Sequence, residues 1–406
     1  MSNPLTDFIN EYAASGAVSF HTPGHKGARF FRRTLIREAI GEADAASVLG
    51  NAGTSCLAAA ADRDITEIPG SGNLFAREGI ISDVAEMYRK QSGSRASYLL
   101  VNGSTAGIQA ALYSVLSPGD TVIVSPMPHR SVMNGIRLAG AKAVVMGNGK
   151  AYDSCIDLPV DPDFTACVTA RDIEEMMDKY PAARAVLITH PNYYGVMSEL
   201  AGIAEVVHAR GLRLICDQAH GAHLAYFDRF VREPEGMPPA SAARCGADIV
   251  IESTHKTLAS FTQSAVAHIF SDRVSTQAFE EALALFESSS PSYILMESLA
   301  LNAEIMEKCG EQLIKEWHEN ILWLRKEMAA VPDVRICLND MVTDETKILM
   351  SMDGMNGIQL QQALIARGIW PELATDRAVL FVTGIGNERS DYEKLVSVLK
   401  NIAAAQ

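Results

Sequence analysis

A lysine placed directly after an apolar run is the feature that most constrains this chain. Residues 247–251 (ADIVI) form the run, and residues 253–258 (STHKTL) follow it and carry Lys256. Such β-branched runs are typical of buried strands in parallel sheets, and α/β proteins place their chemistry just beyond the carboxyl ends of those strands. Lys256 is therefore predicted to project into a crevice, where desolvation favours its neutral, nucleophilic amine. An exposed loop lysine has the same local pattern, so this stretch alone leaves both interpretations open.

A second apolar run ends in a carboxylate. Residues 212–216 (LRLIC) lead into residues 217–223 (DQAHGAH), which begin with Asp217. A single aspartate after a strand is more often a turn residue or a helix cap. An aspartate upstream of a lysine at the next strand end is, however, the pair that pyridoxal phosphate (PLP) requires. The lysine holds the aldehyde of the cofactor, and the aspartate keeps its pyridine nitrogen protonated. The ordered pair therefore predicts a PLP site.

A strand–turn–helix junction offers a place for the phosphate of such a cofactor. Residues 98–101 (YLLV) read as a buried strand, residues 102–107 (NGSTAG) interrupt it, and a helix follows. Free backbone N–H groups and the positive end of the helix dipole make this kind of helix start an anion site. Ser104 and Thr105 add hydroxyl donors. Serine and threonine are also the commonest N-cap residues, so the junction taken alone is equally compatible with a structural role.

Strand and helix patterns alternate from residue 98 to residue 269. Repeated β–α units predict a mostly parallel sheet with helices on both faces, and every candidate site falls at a carboxyl strand end. From about residue 276 the pattern changes to a long helix over 291–329, followed by mixed strands and helices. We expect an α/β fold with an N-terminal arm and helix at 1–50, a PLP-binding large domain at 51–275 and a smaller α+β C-terminal domain at 276–406.

Charge and cysteine usage exclude several classes of protein. A formal net charge of −14 argues against nucleic acid as a partner, because that normally requires a basic face. Seven cysteines without CxxC spacing indicate reduced thiols rather than disulfides or a metal site. The start of the chain does not resemble a signal peptide, and no apolar stretch approaches the roughly 20 residues that span a bilayer. We therefore expect a cytoplasmic protein with no bound metal and no membrane contact.

Eight short motifs together resemble the ornithine/lysine/arginine decarboxylase family of fold-type-I PLP enzymes. They follow the order of that family between about residues 20 and 270, and their combination is specific although no single motif is. The motifs are FHTPGHKG at 20–27, DITE at 64–67, EGII at 78–81, VNGSTAG at 101–107, HRSV at 129–132, PNYYG at 191–195, DQAHGAH at 217–223 and STHKTL at 253–258.

The resemblance implies a role for each candidate residue. Lys256 would carry the cofactor as a Schiff base, Asp217 would pair with its pyridine nitrogen, and His129 would stack on its ring opposite Ala219. The implied cofactor-binding set is Ser104, Thr105, Ala106, His129, Asp217, Ala219, His220, Ser253, His255 and Lys256, and the implied substrate contacts are His25, Asn192, Tyr193 and Arg377. The family builds its active sites at a dimer interface, which implies a homodimer whose N-terminal arm reaches the partner's cleft.

Three departures from the family pattern affect the substrate more than the cofactor. Asn192 stands where the family usually has threonine, and residues 70–73 (GSGN) replace an acidic pair that often follows the DITE-like segment. The additional C-terminal domain of longer family members is expected to be missing. The resemblance therefore implies PLP more strongly than it implies any one amino acid as substrate.

The activity implied is α-decarboxylation of an amino acid, with a basic side chain such as that of lysine, ornithine or arginine. Enzymatic alternatives are an aminotransferase, or elimination or cyclisation of a substituted, arginine-like substrate. Arg377 could anchor a substrate carboxylate, although a surface arginine before a strand is the favoured interpretation. A non-catalytic PLP-fold protein is the last alternative, and the intact pair of Lys256 and Asp217 argues against it.

Overall fold

The part of the N-terminal segment that the structure describes contains three helices and one short strand. The structure is a computed structural model that describes residues 4–41, 60–147, 167–232, 240–337 and 342–405. The elements of this segment are α1 (Pro4–Ala14), β1 (Val18–Phe20), α2 (Ala28–Arg32) and α3 (Thr34–Ile40). The predicted domain boundary at residue 50 lies outside the described residues, so the three-part division of the chain stays a prediction.

A seven-stranded sheet forms the centre of the large unit. Its strands are β2 (Ala96–Leu100), β3 (Thr121–Val124), β4 (Lys142–Val145), β5 (Ala183–Thr189), β6 (Arg213–Asp217), β7 (Ile249–Glu252) and β8 (Ala265–Ile269). Their spatial order is β2-β8-β7-β6-β5-β3-β4, and all are parallel except β8, which runs antiparallel to both of its neighbours. The prediction of a mostly parallel sheet is confirmed.

Helices cover both faces of this sheet, because alternate residues of each central strand enter different cores. Val186 and Ile188 of β5 pack in one apolar cluster, whereas Ala185 and Leu187 pack in another. The helices are α4 (Ile80–Ser92), α5 (Gly103–Val115), α6 (Arg130–Leu138), α7 (Ala170–Lys179), α8 (Leu200–Ala209), α9 (Leu224–Phe227), α10 (Thr254–Thr257) and α11 (Thr276–Phe286), with a π-helix at Asp228–Arg232. Burial on both faces explains the continuous apolar runs in the sequence.

One long helix, α12 (Tyr293–Ala329), connects the large sheet to the C-terminal unit. Its 37 residues span about 55 Å at the usual rise per residue. Beyond it lie β9 (Val334–Ile336), β10 (Lys347–Met352), α13 (Gly357–Ile365), β11 (Ile369–Pro371), β12 (Leu373–Ala374), β13 (Val379–Val382) and α14 (Arg389–Ala403). Four of these strands form an antiparallel sheet in the order β12-β13-β10-β9. This is the smaller α+β unit that the sequence predicts.

The N-terminal segment packs on its own chain. Strand β1 pairs in parallel with β11, and Phe20 is buried in the core of the smaller unit. Gly24 is wedged between two other segments: its N–H donates to the carbonyl of His255, and its carbonyl accepts from Gly386. A Cβ on Gly24 would come within 2.4 Å of Thr257, so only glycine fits here. The HTPGHKG segment thus lines a junction within its own chain. Its reach into a partner's cleft stays a prediction.

Candidate active site

Lys256 lies on the four-residue helix α10, directly beyond the carboxyl end of β7. Its side chain is half-buried, and its Nζ atom is 2.9 Å from Nε2 of His220. Burial lowers the pKa of Lys256, and the charge of Lys347 acts in the same direction, while Asp217 and Glu372 act against it. A lower pKa increases the fraction of the neutral amine, which is the nucleophilic form.

Asp217 is the last residue of β6 and is buried. Strands β6 and β7 are hydrogen-bonded neighbours, and Asp217 is the register partner of Ile251, so the structure brings Asp217 and Lys256 to adjacent strand ends. The Oδ1 atom of Asp217 accepts a bond from the N–H of Ala219 at 3.1 Å. Burial raises the pKa of Asp217, and the charge of Lys256 opposes that rise. Ala219 itself is buried directly beside this carboxylate.

The first turn of α5 carries Ser104, Thr105 and Ala106. Ser104 is half-buried, Thr105 is exposed and Ala106 is buried. The N-cap residue of α5, Asn102, makes no side-chain capping hydrogen bond. The hydroxyl of Ser253, from the end of β7, donates to the hydroxyl of Ser104 at 2.9 Å. Two hydroxyls and a helix N-terminus therefore converge at the same edge of the sheet as Lys256, which is the arrangement of an anion site.

His129 is the N-cap of α6. Its Nδ1 atom accepts from the N–H of Ser131 at 3.2 Å, which fixes the orientation of the ring. Burial lowers the pKa of His129, with Asp217 raising it and Lys256 lowering it. His129 therefore stands close enough to both residues to feel their charges, and the capping role and the predicted stacking role are compatible.

Two further histidines lie next to each other near Lys256. The Nδ1 atom of His255 lies 2.8 Å from the carbonyl oxygen of Ser264, and burial lowers the pKa of His255 to about 4. Burial also lowers the pKa of His25 to about 4, and the charges of Lys26 and His255 contribute to that decrease. The ring of His25 packs between Phe31 and Phe261. Both imidazoles are neutral at neutral pH.

Asn192 and Tyr193 follow β5, the neighbour of β6. The side-chain oxygen of Asn192 accepts from the N–H groups of Tyr194 and Val196, and its buried Nδ2 atom has no hydrogen-bond partner within the described residues. The ring of Tyr193 meets His220 edge-on, with 5.0 Å between centroids. The structure thus brings both predicted substrate contacts to the same crevice as Lys256.

Arg377 occupies a different position from the other predicted residues. It is exposed in the turn between β12 and β13, and its backbone N–H donates to the hydroxyl of Thr375 at 3.2 Å. A turn in the small sheet agrees with the favoured interpretation of a surface arginine. The structure gives no support to Arg377 as a carboxylate anchor.

Glu372 is a site residue that sequence reasoning missed. It lies between β11 and β12, and its carboxylate accepts from the hydroxyl of Tyr193 at 2.8 Å and from the N–H of Thr22 at 2.9 Å. The charge of Glu372 also acts on Lys256. Its local sequence, WPEL at 370–373, contains no recognisable motif, and only the packing of the small sheet on the large one brings it here.

The residues at this edge fit PLP. A buried carboxylate, a lysine with lowered pKa and a hydroxyl-lined helix N-terminus match the pyridine nitrogen, the aldehyde and the phosphate of that cofactor. Two buried nitrogens, Nδ2 of Asn192 and Nδ1 of His220, lack hydrogen-bond partners in the described part of the chain. Buried polar atoms normally have hydrogen-bond partners, so atoms beside a crevice that lack a partner are suited to bind a polar ligand.

Sequence comparison connects most of the chain with one family. Residues 3–350 match the family described as Orn/Lys/Arg decarboxylase, major domain. The chain is 32% identical over 397 residues to the uncharacterized protein YaaO of Bacillus subtilis, covering 96% of this chain and 75% of that protein. It is 25% identical over 413 residues to an arginine decarboxylase of Bacillus cereus, covering 99% and 82% respectively.

Structural comparison places the fold among fold-type-I PLP enzymes, as the sequence predicts. Lysine decarboxylase A from Pseudomonas aeruginosa superimposes with a TM-score of 0.69 at 18% identity. The alignment covers 98% of this chain and 59% of that one, so this chain spans less than two thirds of its length. An alanine–glyoxylate aminotransferase from Nostoc sp. has a TM-score of 0.65 at 13% identity, with 95% of both chains covered. At these identities the similarity concerns the fold alone.

Proposed function

Because the chain belongs to the Orn/Lys/Arg decarboxylase family of PLP-dependent enzymes, we propose that it removes the α-carboxylate of a basic amino acid. The observation that carries the substrate class is Glu372. Its carboxylate faces Tyr193, its charge reaches Lys256, and it lies on the smaller unit, across the crevice from the strand ends. A carboxylate in that place suits the distal ammonium or guanidinium group of lysine, ornithine or arginine.

When bound, PLP supplies a protonated ring that draws electrons from the α-carbon of an amino acid. Lys256 contributes an amine whose lowered pKa favours attack on the aldehyde. Asp217 would contribute the carboxylate that keeps the ring nitrogen protonated. The hydroxyls of Ser104 and Ser253, together with the first turn of α5, would hold the phosphate. His129 is held rigidly by Ser131, which suits a ring that stacks on a flat partner.

The histidines of the crevice favour decarboxylation of the substrate over reactions that keep its α-carboxylate. His25 and His255 have pKa values of about 4, and burial lowers the pKa of His220 well below its ordinary range. These three imidazoles are therefore neutral at neutral pH. A carboxylate beside neutral groups is not strongly stabilised, so less free energy opposes its departure. After CO₂ leaves, Lys256 or the adjacent His220 would return a proton to the α-carbon.

The main enzymatic alternative keeps the cofactor and breaks a different bond. Transamination would yield a keto acid from the same amino acid, and elimination or cyclisation would require a substituted, arginine-like substrate. The test is to incubate the purified protein and PLP with lysine, ornithine, arginine and hydroxylated arginine. CO₂ together with the matching amine supports our proposal, whereas a keto acid or a cyclised product without CO₂ would replace it.

We further propose that the protein is a homodimer in the cytoplasm. Large apolar side chains are exposed close together in sequence, where Ile65, Ile68, Phe75 and Ile80 are 37–56% exposed. Exposed apolar groups of this kind are typical of an interaction surface. The charged substitution Ile68→Glu should lower the molar mass measured by light scattering from that of two chains to that of one. A single-chain mass for the unaltered protein would exclude the dimer.

The described helices give one further constraint, which concerns membranes. Within the ranges that the structure describes, no helix combines the length and the apolar character needed to cross a bilayer.

A further inference from the structure

Lys347 is a buried lysine that lies next to His220, the residue whose ring contacts Lys256. It is the first residue of β10 in the smaller unit, and its side chain reaches the loop that follows β6 in the large unit. Its Nζ atom donates to the carbonyl oxygen of His220 at 3.2 Å and to Oδ2 of Asp344 at 2.9 Å. His220 in turn contacts Nζ of Lys256 through its ring. His220 therefore contacts both lysines, Lys256 through its ring and Lys347 through its backbone carbonyl.

The counter-charge of Lys347 is also fully enclosed. Asp344 is buried, and its Oδ1 atom accepts from Nε2 of His223 at 3.0 Å and from the hydroxyl of Thr346 at 2.8 Å. Burial alone would raise the pKa of Asp344, but Lys347 and His223 hold that pKa well below its ordinary value. The pair is therefore an ionised salt bridge in the interior.

This network grips the loop after β6 at two points. Lys347 binds the backbone of His220, and Asp344 binds the ring of His223, three residues further along. The lysine is itself confined, because a Cβ on Gly195 would come within 3.0 Å of its Cβ atom. The loop that carries His220, the hydrogen-bond partner of Lys256, is thus fixed to the smaller unit at two points by buried charged groups.

A buried ion pair is weak evidence for stability, because taking two charges out of water costs about as much as their attraction returns. Its position is more informative. The charged and titratable groups that interact with Lys256 or with this network are Asp217, Glu372, His129, His190, His220, His223, His255, Asp344, Lys347 and Arg325. Among the described groups that act directly on Lys256, Lys347 is the one whose charge lowers the pKa of Lys256, so it disfavours a second positive charge beside it.

We propose that Lys347 is a positioning residue for the reaction. Through the His220 carbonyl it fixes the imidazole that contacts Lys256, and its ammonium disfavours protonation at the nitrogen of Lys256. The role concerns cofactor attachment and does not depend on which bond of the substrate is broken. A failure of the decarboxylation proposal therefore leaves it intact.

The experiment titrates the PLP-loaded protein and follows the visible absorbance band of the bound cofactor, which responds to protonation at the lysine nitrogen. Lys347→Met should raise the midpoint of this titration by on the order of one pH unit. Removing a like charge from the surroundings of an amine favours its protonated form, so the pKa of that amine rises. Lys347→Arg keeps the charge and should restore a midpoint close to that of the unaltered protein.

Two further variants keep the test decisive. Lys347→Met strands the carboxylate of Asp344, so the double variant Asp344→Asn with Lys347→Met removes both charges and should show a smaller rise in a folded protein. Lys90→Met is the control, because the Lys90 side chain is 70% exposed on α4, so the midpoint should not change. An unchanged midpoint in both Lys347→Met and the double variant, or an equal rise in Lys90→Met, would overturn the proposal.

Discussion

The hydroxyl oxygens of Ser104 and Ser253 lie 2.9 Å apart, although 149 residues separate them in the chain. Ser104 stands at the start of α5 and Ser253 stands at the end of β7. The two hydroxyls and the N-terminus of α5 together form the proposed phosphate site. Lys256 follows Ser253 by three residues and therefore lies close to the site that we propose for the phosphate.

Removing either hydroxyl should weaken PLP binding without unfolding the protein. Hydrogen bonds to a charged group contribute about 1.5–3 kcal/mol, so Ser104→Ala or Ser253→Ala should lower the affinity of the apoprotein for PLP about tenfold or more. The measurement is a titration with PLP followed by absorbance. Ser114→Ala is the matched control, because Ser114 lies at the other end of α5 and bonds only to its own helix in the contacts described. Unchanged affinity in both site variants would place the phosphate elsewhere.

Lys256→Ala should abolish the visible absorbance that attached PLP produces. Loss of the amine removes the covalent attachment and one candidate proton donor, and decarboxylation should fall by about a hundredfold or more. Lys90→Ala serves as control, because the Lys90 side chain is 70% exposed on α4. A Lys256→Ala protein that keeps both the band and the activity would exclude Lys256 as the attachment residue.

Glu372→Gln should discriminate between substrates. Loss of the negative charge removes a charge-assisted contact with a basic side chain, so KM for the preferred basic amino acid should rise about tenfold. Tyr193→Phe removes the hydroxyl that donates a hydrogen bond to Glu372 but keeps the negative charge of Glu372, so it should change KM less. An equal loss of kcat/KM for basic and neutral amino acids in Glu372→Gln would show that Glu372 has a structural role instead.

The stability of the protein should depend on the titration of Glu287, which caps the end of α11. This carboxylate is buried, accepts from the N–H of Asn102 at 3.0 Å, and burial raises its pKa from 4.5 to about 7. The folded state binds this proton more tightly than the unfolded state does. The protein therefore loses up to about 3 kcal/mol of stability from this group as pH rises from about 4.5 through 7.

Glu287→Gln has no such proton to lose. Its melting temperature relative to that of the unaltered protein should therefore be higher at pH 8 than at pH 5. Glu280→Gln is the control, because Glu280 lies on the same helix but is partly exposed and paired with Arg77. The same difference in melting temperature at both pH values would contradict the assignment.

Local pattern was sufficient to predict the elements that carry the proposed cofactor site. Helix α7 begins at Ala170, directly after Thr169, because Thr169 and Asp172 form a capping box that fixes the N-terminal end of the helix. The short strands β1, β11 and β12 were missed, because two or three residues are too few to show a period. Strand β1 pairs with a segment about 350 residues away, which no local signal encodes.

The sequence by itself determined that the proposed cofactor residues share one edge of the sheet, because carboxyl ends of neighbouring parallel strands must meet. Lys256, Asp217 and Ser104 each follow a readable apolar run, so their chemistry and their common edge could be inferred together. Only the tertiary structure decided that Glu372 and Lys347 join them. Both come from the smaller unit, and which of its side chains face the crevice depends on how two separately patterned units pack. Contacts between residues far apart in sequence decide which side chains face the crevice, and such contacts produce no periodic pattern in the sequence.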